Sequence, residues 1–498
     1  MARWNEEDPL KKKKKPDVEM WAHRSAQRLF DEETKEAHVE TSSRRQKAWF
    51  LWFFLGIATA GVVFYEVTVL FVHRRERFRA AVKAPPELES RIRWGVAGLG
   101  RIGHDFSATL TLRGGTLVAV AAGSLPERQK RAKSFADFFS TDDNKIKSYD
   151  SYEKLALDPD VDIVYVANTN NLHMNTTLLF LEHGKHVLVE KPTSTNAEDA
   201  LAMLTFAKKQ NRLLVTNYWN AAFPAVKWAK EKAQRDIGDI HAFRGDMGFQ
   251  AVSDPFDRFL NKKLGGGATL DMGCYLVQSM LMFMGEDEYL KQAYQSQLDS
   301  NMLLPRMPQR VTAFGDLAPT GVDIEVAAVV QVLDKRGVFA ASMQRGGSPF
   351  NFEVLAEHGS VTLAAPANCP ASASLTILED ANYPEPHVVK PCCGQPSIEQ
   401  TNIKFELPPL PAHLEPQYPG TLGFSFMIFD IQNFLIAFQD NGCDSEENYN
   451  DDKSDDNLCN LDFPLVPHWM QIATQQIADD IIQQVQLQQS LIPTKKQQ

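Results

Sequence analysis

The sequence is poor in cysteine and lacks the excess of basic residues that nucleic-acid-binding proteins carry. It holds six cysteines in 498 residues, and its formal net charge is −11. Phosphate backbones are bound by basic surfaces, so this acidic balance excludes nucleic acid as the main partner. Six cysteines are too few for a disulfide scaffold. The sequence also contains no CxxC pair, which is the spacing typical of a zinc site. We therefore predict neither a nucleic-acid partner nor a metal centre.

Two of the cysteines leave an alternative open. Cys443 and Cys459 flank an acidic stretch at 441–460, which predicts a mobile insert. The two thiols could pair in an oxidising compartment, and free thiols fit the sequence equally well. The overall composition, with 44% hydrophobic and 23% charged residues, is typical of a globular protein. The length predicts two domains with appendages.

The amino-terminal 90 residues differ in composition from the rest of the chain. Residues 1–47 are highly charged and predict a disordered or loosely helical tail. Residues 48–72 carry a single charge, on Glu66, and basic clusters bracket them. Because a bilayer core requires about 20 apolar residues, we predict a single-pass transmembrane helix at 48–72, followed by a linker at 73–90. A signal peptide would be shorter and begin earlier. Both flanks are similarly basic, so orientation and organelle stay open.

A glycine-rich turn opens the folded part of the chain. The apolar strand predicted at 92–97 leads into a GxGxxG pattern, and a helix follows. In this strand–turn–helix context the pattern is typical of a Rossmann dinucleotide-binding domain, which we place at 91–215. The first glycine permits the turn, the second lets the backbone approach a pyrophosphate, and the third packs the helix on the strand. The residues predicted to hold the cofactor here are Gly98, Leu99, Gly100, Arg101, Ile102 and Gly103.

The end of the next strand indicates which cofactor binds. An NAD site carries an Asp or Glu there for the ribose hydroxyls, about 20 residues after the glycines. Strand 117–122 instead ends in Gly123 and Ser124, with Arg128 close behind. The missing acid and the nearby hydroxyl and guanidinium favour a 2′-phosphate. We therefore predict that Ser124 and Arg128 contact NADP, with NAD less favoured.

Polar residues also follow the two strands predicted to end near 167 and at 189. Ligands of open α/β sheets bind at the carboxyl ends of the strands, so we expect these residues to line the cofactor cleft. They are Asn168, Asn170, His173, Glu190 and Lys191. Two alternatives remain: His173 can equally be a residue that only starts a helix, and Lys191 can be a solvated lysine on a loop.

The second half, which we assign to one domain at 216–498, contains another glycine turn. This turn, at 264–267, starts a predicted helix on which Asp271, Tyr275 and Gln278 share one face. Tyr275 can equally be a core aromatic with a satisfied hydroxyl. Residues 322–366 alternate apolar and polar side chains, which predicts successive strands of one broad, mostly antiparallel sheet. The proline-rich stretch 366–420 predicts an elaborated loop, so the second domain is α+β.

The chain resembles the Gfo/Idh/MocA family of NAD(P)-dependent oxidoreductases. The matching segments are VAGLGRIG, ANTNNLH and VEKPTSTN, and the closing segment after 460 extends the likeness over about 91–485. Within the family, the sequence is similar to the dimeric dihydrodiol dehydrogenases, a group that includes NADP-linked D-xylose 1-dehydrogenases. The resemblance implies that Lys191 is the family's catalytic lysine and Tyr275 its acid/base. It also implies a homodimer formed through the open face of the second sheet.

The resemblance extends to the substrate side, with one departure. Trp219 and Asp271 match substrate contacts of the group, and Arg244 matches another substrate-side arginine. The group usually carries an arginine just before Phe223-Pro224, where this chain has Ala221 and Ala222. The usual substrate of the group is therefore in doubt for this chain.

Two functions follow from these residues. The first is a membrane-anchored oxidoreductase that transfers a hydride between NADP and a sugar or vicinal diol hydroxyl. Tyr275 would accept the hydroxyl proton, and the ammonium of Lys191 would favour its phenolate. The second is a catalytically weak, membrane-tethered NADP-binding sensor or scaffold, which Ala221 and Ala222 allow. The intact pair of Lys191 and Tyr275 favours the enzyme.

Overall fold

The computed structural model describes residues 91–491 with several internal gaps. The gaps are 113–114, 124–125, 252–253, 255, 286–287, 303–308, 346–351, 367, 379–397, 408–415, 419 and 444–459. The predicted tail, transmembrane helix and linker, which span residues 1–90, lie outside the described residues, and so does most of the acidic insert. The described residues belong to one compact unit.

The amino-terminal part is a six-stranded parallel sheet of the predicted Rossmann type. Its strand order is β3-β2-β1-β4-β5-β6, and every neighbouring pair is parallel. The central strands are apolar runs buried along their whole length, as expected when helices cover both faces. The strands are β1 Arg93–Ala97, β2 Thr116–Ala121, β3 Lys147–Tyr149, β4 Ile163–Val166, β5 His186–Val189 and β6 Leu214–Thr216.

Helices connect these strands and continue into the second half of the chain. The fifth of them has a capped start, because the Asn196 side chain accepts a hydrogen bond of 2.8 Å from the Asp199 backbone N–H. The α-helices are α1 Arg101–Leu112, α2 Pro126–Phe139, α3 Tyr152–Ala156, α4 His173–Glu182, α5 Ala197–Lys209, α6 Pro224–Asp236, α7 Cys274–Met284, α8 Glu288–Ser300, α9 Phe424–Asp440 and α10 His468–Leu491.

The second sheet has eight strands in the order β14-β13-β12-β11-β7-β10-β9-β8. All neighbouring pairs are antiparallel except β7 and β10, so the predicted mostly antiparallel sheet is confirmed. Helices α7 and α10 pack against it. The strands are β7 Ile240–Gly248, β8 Gln309–Leu317, β9 Asp323–Val332, β10 Lys335–Ser342, β11 Phe352–Ala356, β12 Gly359–Leu363, β13 Ser372–Leu378 and β14 Ile398–Lys404.

The predicted loop at 366–420 is partly wrong, because it contains β13 and β14. Strand β13 has the sequence SASLTIL, in which buried Ala373 and Leu375 alternate with less buried residues. That alternation is the signal of a half-buried strand. The surrounding prolines obscured it, since they lie between the strands rather than inside them.

One helix among the described residues is long and apolar enough to cross a membrane. It spans Thr421–Asp440, and 56% of its most apolar window is buried inside the fold. Its core residues include Phe424 and Ile431, and it packs against α1. Burial in the protein accounts for its apolar composition.

The cysteines fall into two groups among the described residues. Cys274 and Cys369 are buried thiols. Cys443 is disulfide-bonded, and its partner lies outside the described residues. The predicted choice between a bonded and a free Cys443 is thereby decided for the bonded form.

Candidate active site

A cavity of about 770 Å³ lies at the carboxyl ends of the parallel strands and extends to the second sheet. The glycine turn after β1 forms one end of it. The residue after β5, Lys191, and the first turn of α7, with Tyr275, lie in the middle. Because both domains line this one space, a ligand on the Rossmann domain would lie directly against the second domain.

The glycine turn has the shape that a dinucleotide requires. Gly98 has a φ of +104°, and a Cβ there would lie 2.5 Å from the backbone of Ala167. A Cβ on Gly103 would lie 2.3 Å from the Gly98 carbonyl oxygen, so the helix packs closely on the turn. A Cβ on Gly100 would meet no described atom within 4 Å. This open space beside the amino terminus of α1 can receive a pyrophosphate, so the turn fits the cofactor.

The six residues of the turn have different positions. Gly98, Leu99, Gly100 and Ile102 line the cavity. Arg101 is exposed and lies outside it, because α1 turns its side chain to solvent. The structure therefore does not support the prediction that the Arg101 side chain contacts the cofactor.

The far end of the cavity lies beyond β2. The two residues after that strand, Ala122 and Gly123, line the cavity and carry no carboxylate. Arg128 lies close above Gly123, since a Cβ built there would lie 2.8 Å from its Nη1. Arg131, which the sequence analysis missed, also lines this end. Ser124 lies outside the described residues.

Asn168 and Asn170 line the cavity as predicted. The Nδ2 of Asn168 donates to Thr176 Oγ1 at 2.7 Å, whereas its Oδ1 is buried without a partner among the described residues. A buried acceptor of this kind at a cavity wall suits a ligand donor. The Nδ2 of Asn170 donates to the carbonyl oxygen of Gly265 at 2.8 Å, which joins the two domains.

His173 has a structural position rather than a place in the cavity wall. It is completely buried, and its Nδ1 lies 2.8 Å from the carbonyl oxygen of Pro192. Burial lowers the pKa of His173 to about 4, so the ring is neutral and Nδ1 donates. The prediction that His173 lines the cofactor cleft is wrong, since it instead supports the segment that carries Lys191.

Lys191 lies between a carboxylate and an aromatic ring. Its Nζ donates to the Asp271 carbonyl oxygen at 2.6 Å and lies 3.3 Å from Asp271 Oδ1. The same atom lies 5.0 Å from the centroid of the Tyr275 ring. Only 15% of its side chain is exposed, so the solvated-lysine alternative is wrong.

Tyr275 is buried at the cavity wall, and its hydroxyl accepts a hydrogen bond from a tryptophan. Trp219 Nε1 donates to Tyr275 Oη at 2.6 Å. Burial raises the pKa of Tyr275 well above 10, the negative charge of Glu190 adds to this, and the bond from Trp219 opposes it. Whether Lys191 favours the phenolate of Tyr275 stays a prediction, because the pKa shift reports only the net effect of all surrounding groups. The ammonium is bonded to Asp271, and the phenol stays neutral.

Glu190 lies beneath this group in a buried network. Its Oε1 accepts hydrogen bonds from the Tyr165 hydroxyl and, at 2.7 Å, from Asn217 Nδ2. Burial raises the pKa of Glu190, although these donors oppose the shift. The carboxyl group therefore borders the cavity from below with a pKa above that of an exposed glutamate.

Asp271 pairs with a second cation that the sequence analysis missed. Arg258 Nη1 lies 3.2 Å from Asp271 Oδ1, and its guanidinium lies 3.9 Å from the Phe259 ring centroid. Burial alone would raise the pKa of Asp271, but Lys191 and Arg258 outweigh burial and hold it below 3.8. One carboxylate thus bridges two cations in the cavity wall.

The predicted shared face of Asp271, Tyr275 and Gln278 holds for the first two residues. Asp271 lies in a π-helical turn, Thr269–Gly273, which precedes α7. The wider turn shifts the helical register, and Asp271 and Tyr275 both line the cavity. Gln278 instead lies outside the cavity and accepts a hydrogen bond of 3.0 Å from Asn220 Nδ2.

Two predicted substrate residues have different outcomes. Trp219 lines the cavity and is buried. Arg244 does not line it: 65% of its side chain is exposed, and it pairs with Glu353 at 3.5 Å. Arg244 is wrong as a cavity residue because its side chain is exposed on the sheet beside Glu353, its direct neighbour on β11. The residues that follow on the same strand, from Asp246, do line the cavity.

A carboxy-terminal segment supplies the remaining wall. Its cavity residues carried no motif in the sequence, and only their place in the fold brings them to the site. They are Pro366, Asn368, Cys369, Tyr418, Thr421 and Phe424.

Comparison with known proteins agrees with this geometry. Residues 92–218 match the model of the oxidoreductase family, NAD-binding Rossmann fold, GFO_IDH_MocA, and residues 228–362 match the GFO/IDH/MocA C-terminal domain. Trans-1,2-dihydrobenzene-1,2-diol dehydrogenase of Xenopus tropicalis is 32% identical over 304 residues, which are 60% of this chain and 83% of the relative.

Solved structures share the fold. A levoglucosan dehydrogenase in complex with NADH and levoglucosan has a TM-score of 0.56 at 20% identity and covers 79% of this chain and 97% of its own. A 3-ketoreductase from Actinomadura kijaniata, with NADP and TDP-benzene, has a TM-score of 0.54 at 18% identity and covers 78% and 96%.

The family matches and the Rossmann fold with its glycine turn define an NAD(P)-dependent oxidoreductase. The chain belongs to the Gfo/Idh/MocA family.

Proposed function

We propose that this protein is a membrane-anchored dehydrogenase that transfers a hydride between NADP and a sugar or vicinal diol hydroxyl. The observation that carries the proposal is the position of Lys191 Nζ, 5.0 Å from the Tyr275 ring in a cavity that the glycine turn also lines. A proton acceptor and a cation beside a dinucleotide cleft are what alcohol oxidation requires.

The cofactor would lie along Gly98, Gly100 and Asn168, toward Lys191. When bound, NADP supplies the nicotinamide ring that accepts or returns the hydride. Tyr275 carries the proton of the reacting hydroxyl, and Lys191 and Asp271 orient the substrate oxygens beside it. Because the buried Tyr275 is a neutral phenol, it is ready to donate a proton to a carbonyl. Oxidation of an alcohol requires its phenolate, so oxidation should speed up as the pH rises.

The substrate class rests on the cavity wall and on the relatives. Asp271 and Asp246 offer acceptors for hydroxyl protons, and Arg258 offers donors to oxygens. The relatives named above are dehydrogenases of a diol and of the sugar derivative levoglucosan. This polar wall supports a polyhydroxylated substrate. The chain has Ala221 and Ala222 in place of the arginine that is usual in the group, but Arg258 still provides an arginine in the cavity.

Three further parts of the proposal have separate support. The absence of a carboxylate at Ala122 and Gly123, with Arg128 and Arg131 at that end of the cavity, favours NADP over NAD. The apolar stretch at 48–72 supports the membrane anchor. Apolar side chains on the open face of the second sheet support a homodimer.

The experiment is an activity panel with the detergent-solubilised full chain. Aldoses, inositols and vicinal diols are offered with NADP, and NADPH formation is followed by absorbance. We expect turnover with part of the panel and a fall of about 10²–10⁴ in Tyr275→Phe and in Lys191→Met, with NADP binding retained. Tyr289→Phe, which changes an exposed tyrosine, is the matched control.

Two outcomes would contradict the proposal. Full activity in Tyr275→Phe would exclude Tyr275 as the proton carrier. Silence of the wild-type protein across the panel, together with tight NADP binding, would instead favour the sensor or scaffold.

A further inference from the structure

A buried carboxylate on the first Rossmann helix holds a distant segment of the chain. Asp105, on α1, is 2% exposed. Its Oδ1 accepts from the Gln417 N–H at 2.9 Å, and its Oδ2 accepts from the Tyr418 N–H and the Thr421 hydroxyl, both at 3.0 Å. We name Asp105 and these three donors the latch. His104 Nδ1 also lies 3.3 Å from Asp105 Oδ1.

The latch is a strong and specific arrangement. A carboxylate buried without donors would be costly, and hydrogen bonds to an ionised acceptor are about twice as strong as neutral ones. The bonded segment lies more than 300 residues further along the chain. It also lies beyond residue 362, where the match to the family's second domain ends.

The latched segment lies behind Trp219. Gly420 has a φ of +78°, and a Cβ there would lie 2.4 Å from Cys369 Sγ and 3.9 Å from the Trp219 ring. The ring centroid of Phe424, just after the segment, lies 4.6 Å from that of Trp219. The indole is therefore held from behind, while its N–H donates to Tyr275 Oη.

The segment also reaches the substrate side of the cavity. Tyr418 lines the cavity and interacts with the Arg258 side chain, which pairs with Asp271. Asp105 itself lies outside the cavity. Its effect on the site therefore passes through the latched segment.

We infer that Asp105 is a positioning residue that holds Trp219 against the Tyr275 hydroxyl and Tyr418 against Arg258. The helix that begins at the cofactor turn thereby fixes the proton-carrying tyrosine of the other domain. This inference rests on the proposed function, because it assigns Tyr275 the proton.

The test is Asp105→Asn in the detergent-solubilised full chain. An amide has one acceptor oxygen in place of two, so it cannot accept all three bonds. We expect kcat to fall about tenfold, as expected for loss of one interaction of the Tyr275 hydroxyl, while the NADP dissociation constant stays within about twofold. Loss of the Trp219 donor also makes the Tyr275 phenolate harder to form. The pH profile of oxidation should therefore move to higher pH.

The remaining groups that face Tyr275 are not altered by this substitution. Among the described residues they are Glu190, Asp271, Cys274, Lys191, Tyr165 and Tyr218. Asp137→Asn, which changes an exposed aspartate of the same domain, is the matched control and should leave kcat and the pH profile unchanged.

A second pair of variants keeps the test decisive if Asp105→Asn fails to fold. Thr421→Val removes one of the three bonds and should give an intermediate loss of kcat, whereas Thr421→Ser keeps the hydroxyl and should restore it. The emission of Trp219, isolated as the difference between each protein and its Trp219→Phe version, should shift to the red in Thr421→Val. This readout requires no turnover.

The outcomes separate this inference from the proposed function. Unchanged kcat, pH profile and Trp219 emission in a folded Asp105→Asn protein would overturn the positioning role of Asp105. A Thr421→Val protein with the kcat, pH profile and Trp219 emission of the wild type would also contradict the inference. No activity of the wild-type protein on the whole panel would refute the proposed function. A red shift of the Trp219 emission in Thr421→Val would still support the positioning of the indole by Asp105.

Discussion

Tyr275 and Glu190 are buried on neighbouring walls of the cavity, and neither ionises easily. Burial raises the pKa of both groups, and the charge of Glu190 raises that of Tyr275 further. The single N–H bond from Trp219 is the main opposing contact of the hydroxyl. Small changes around this oxygen should therefore alter the pH dependence of the reaction more than the binding of either ligand.

Arg128 and Arg131 carry the prediction about cofactor choice. Both line the cavity end beyond β2, where an added 2′-phosphate would meet two guanidinium groups. Arg128→Ala and Arg131→Ala should each weaken NADP binding about tenfold or more, because charge-assisted bonds to phosphate are lost, and leave NAD binding unchanged. Fluorescence titration with NADPH and NADH measures both.

The control for these variants lies on the same helix. Lys130→Ala removes an exposed positive charge outside the cavity and should leave both dissociation constants as they are. Equal loss of NADPH and NADH affinity in Arg128→Ala would contradict NADP selectivity, since it would place the arginine on a group that both cofactors share.

At the scale of elements, α5 and α10 are joined by a carboxyl group with an unusual pKa. Asp479 Oδ2, on α10, accepts a hydrogen bond of 2.7 Å from the N–H of Ala197, the first residue of α5. Burial raises the pKa of Asp479 from 3.8 to about 6, and Asp480 and Glu198 add to the shift. The folded protein therefore binds this proton more tightly than the unfolded chain does.

This linkage predicts how stability changes with pH. The contribution of Asp479 to the free energy of unfolding is present below pH 4, falls between about pH 4 and 6, and is constant above. Asp479→Asn removes the titration, so the variant should gain about 1–3 kcal/mol relative to wild type between pH 4.5 and pH 8. Urea unfolding at both pH values measures it. A difference that is constant across this range would contradict the raised pKa.

At the scale of the whole molecule, the second sheet leaves one face open at its centre. Phe314, Val329 and Val338 are 62%, 43% and 50% exposed, and Val329 and Val338 are direct neighbours across β9 and β10. An apolar patch on a sheet face is typical of an interface. We propose that it joins two copies of this chain.

Charges on that patch should separate the copies. The double variant Val329→Glu, Val338→Glu should halve the mass of the protein part in light scattering of the detergent-solubilised chain, because two carboxylates cannot be buried unpaired. Leu487→Glu is the control: it changes a 58% exposed residue on α10, the helix that packs against β8. A wild-type monomer, or a dimer that survives the double variant, would refute this interface.

The Rossmann domain was largely predictable because its signals are local. A buried strand, the turn at Gly98–Gly103 and the following helix are neighbours in sequence, and Gly98 and Gly103 are required by backbone geometry that the structure retains. The same holds for the end of β5 before Lys191, because the apolar run stops at Val189. Lys191 and Tyr275 were found by resemblance, and the cavity includes both.

The sequence by itself thus determined the family, the cofactor turn and the residue types of the reacting pair. Only the tertiary structure decided which side chains reach one another. Arg244 pairs with Glu353 outside the cavity, Arg258 reaches Asp271 across a loop, and Tyr418 reaches the cavity because Asp105 holds its segment from the other domain. Contacts between residues hundreds of positions apart leave no periodic pattern in a single sequence. The physical state of Tyr275 depends on the same contacts, because burial and Glu190 set its pKa.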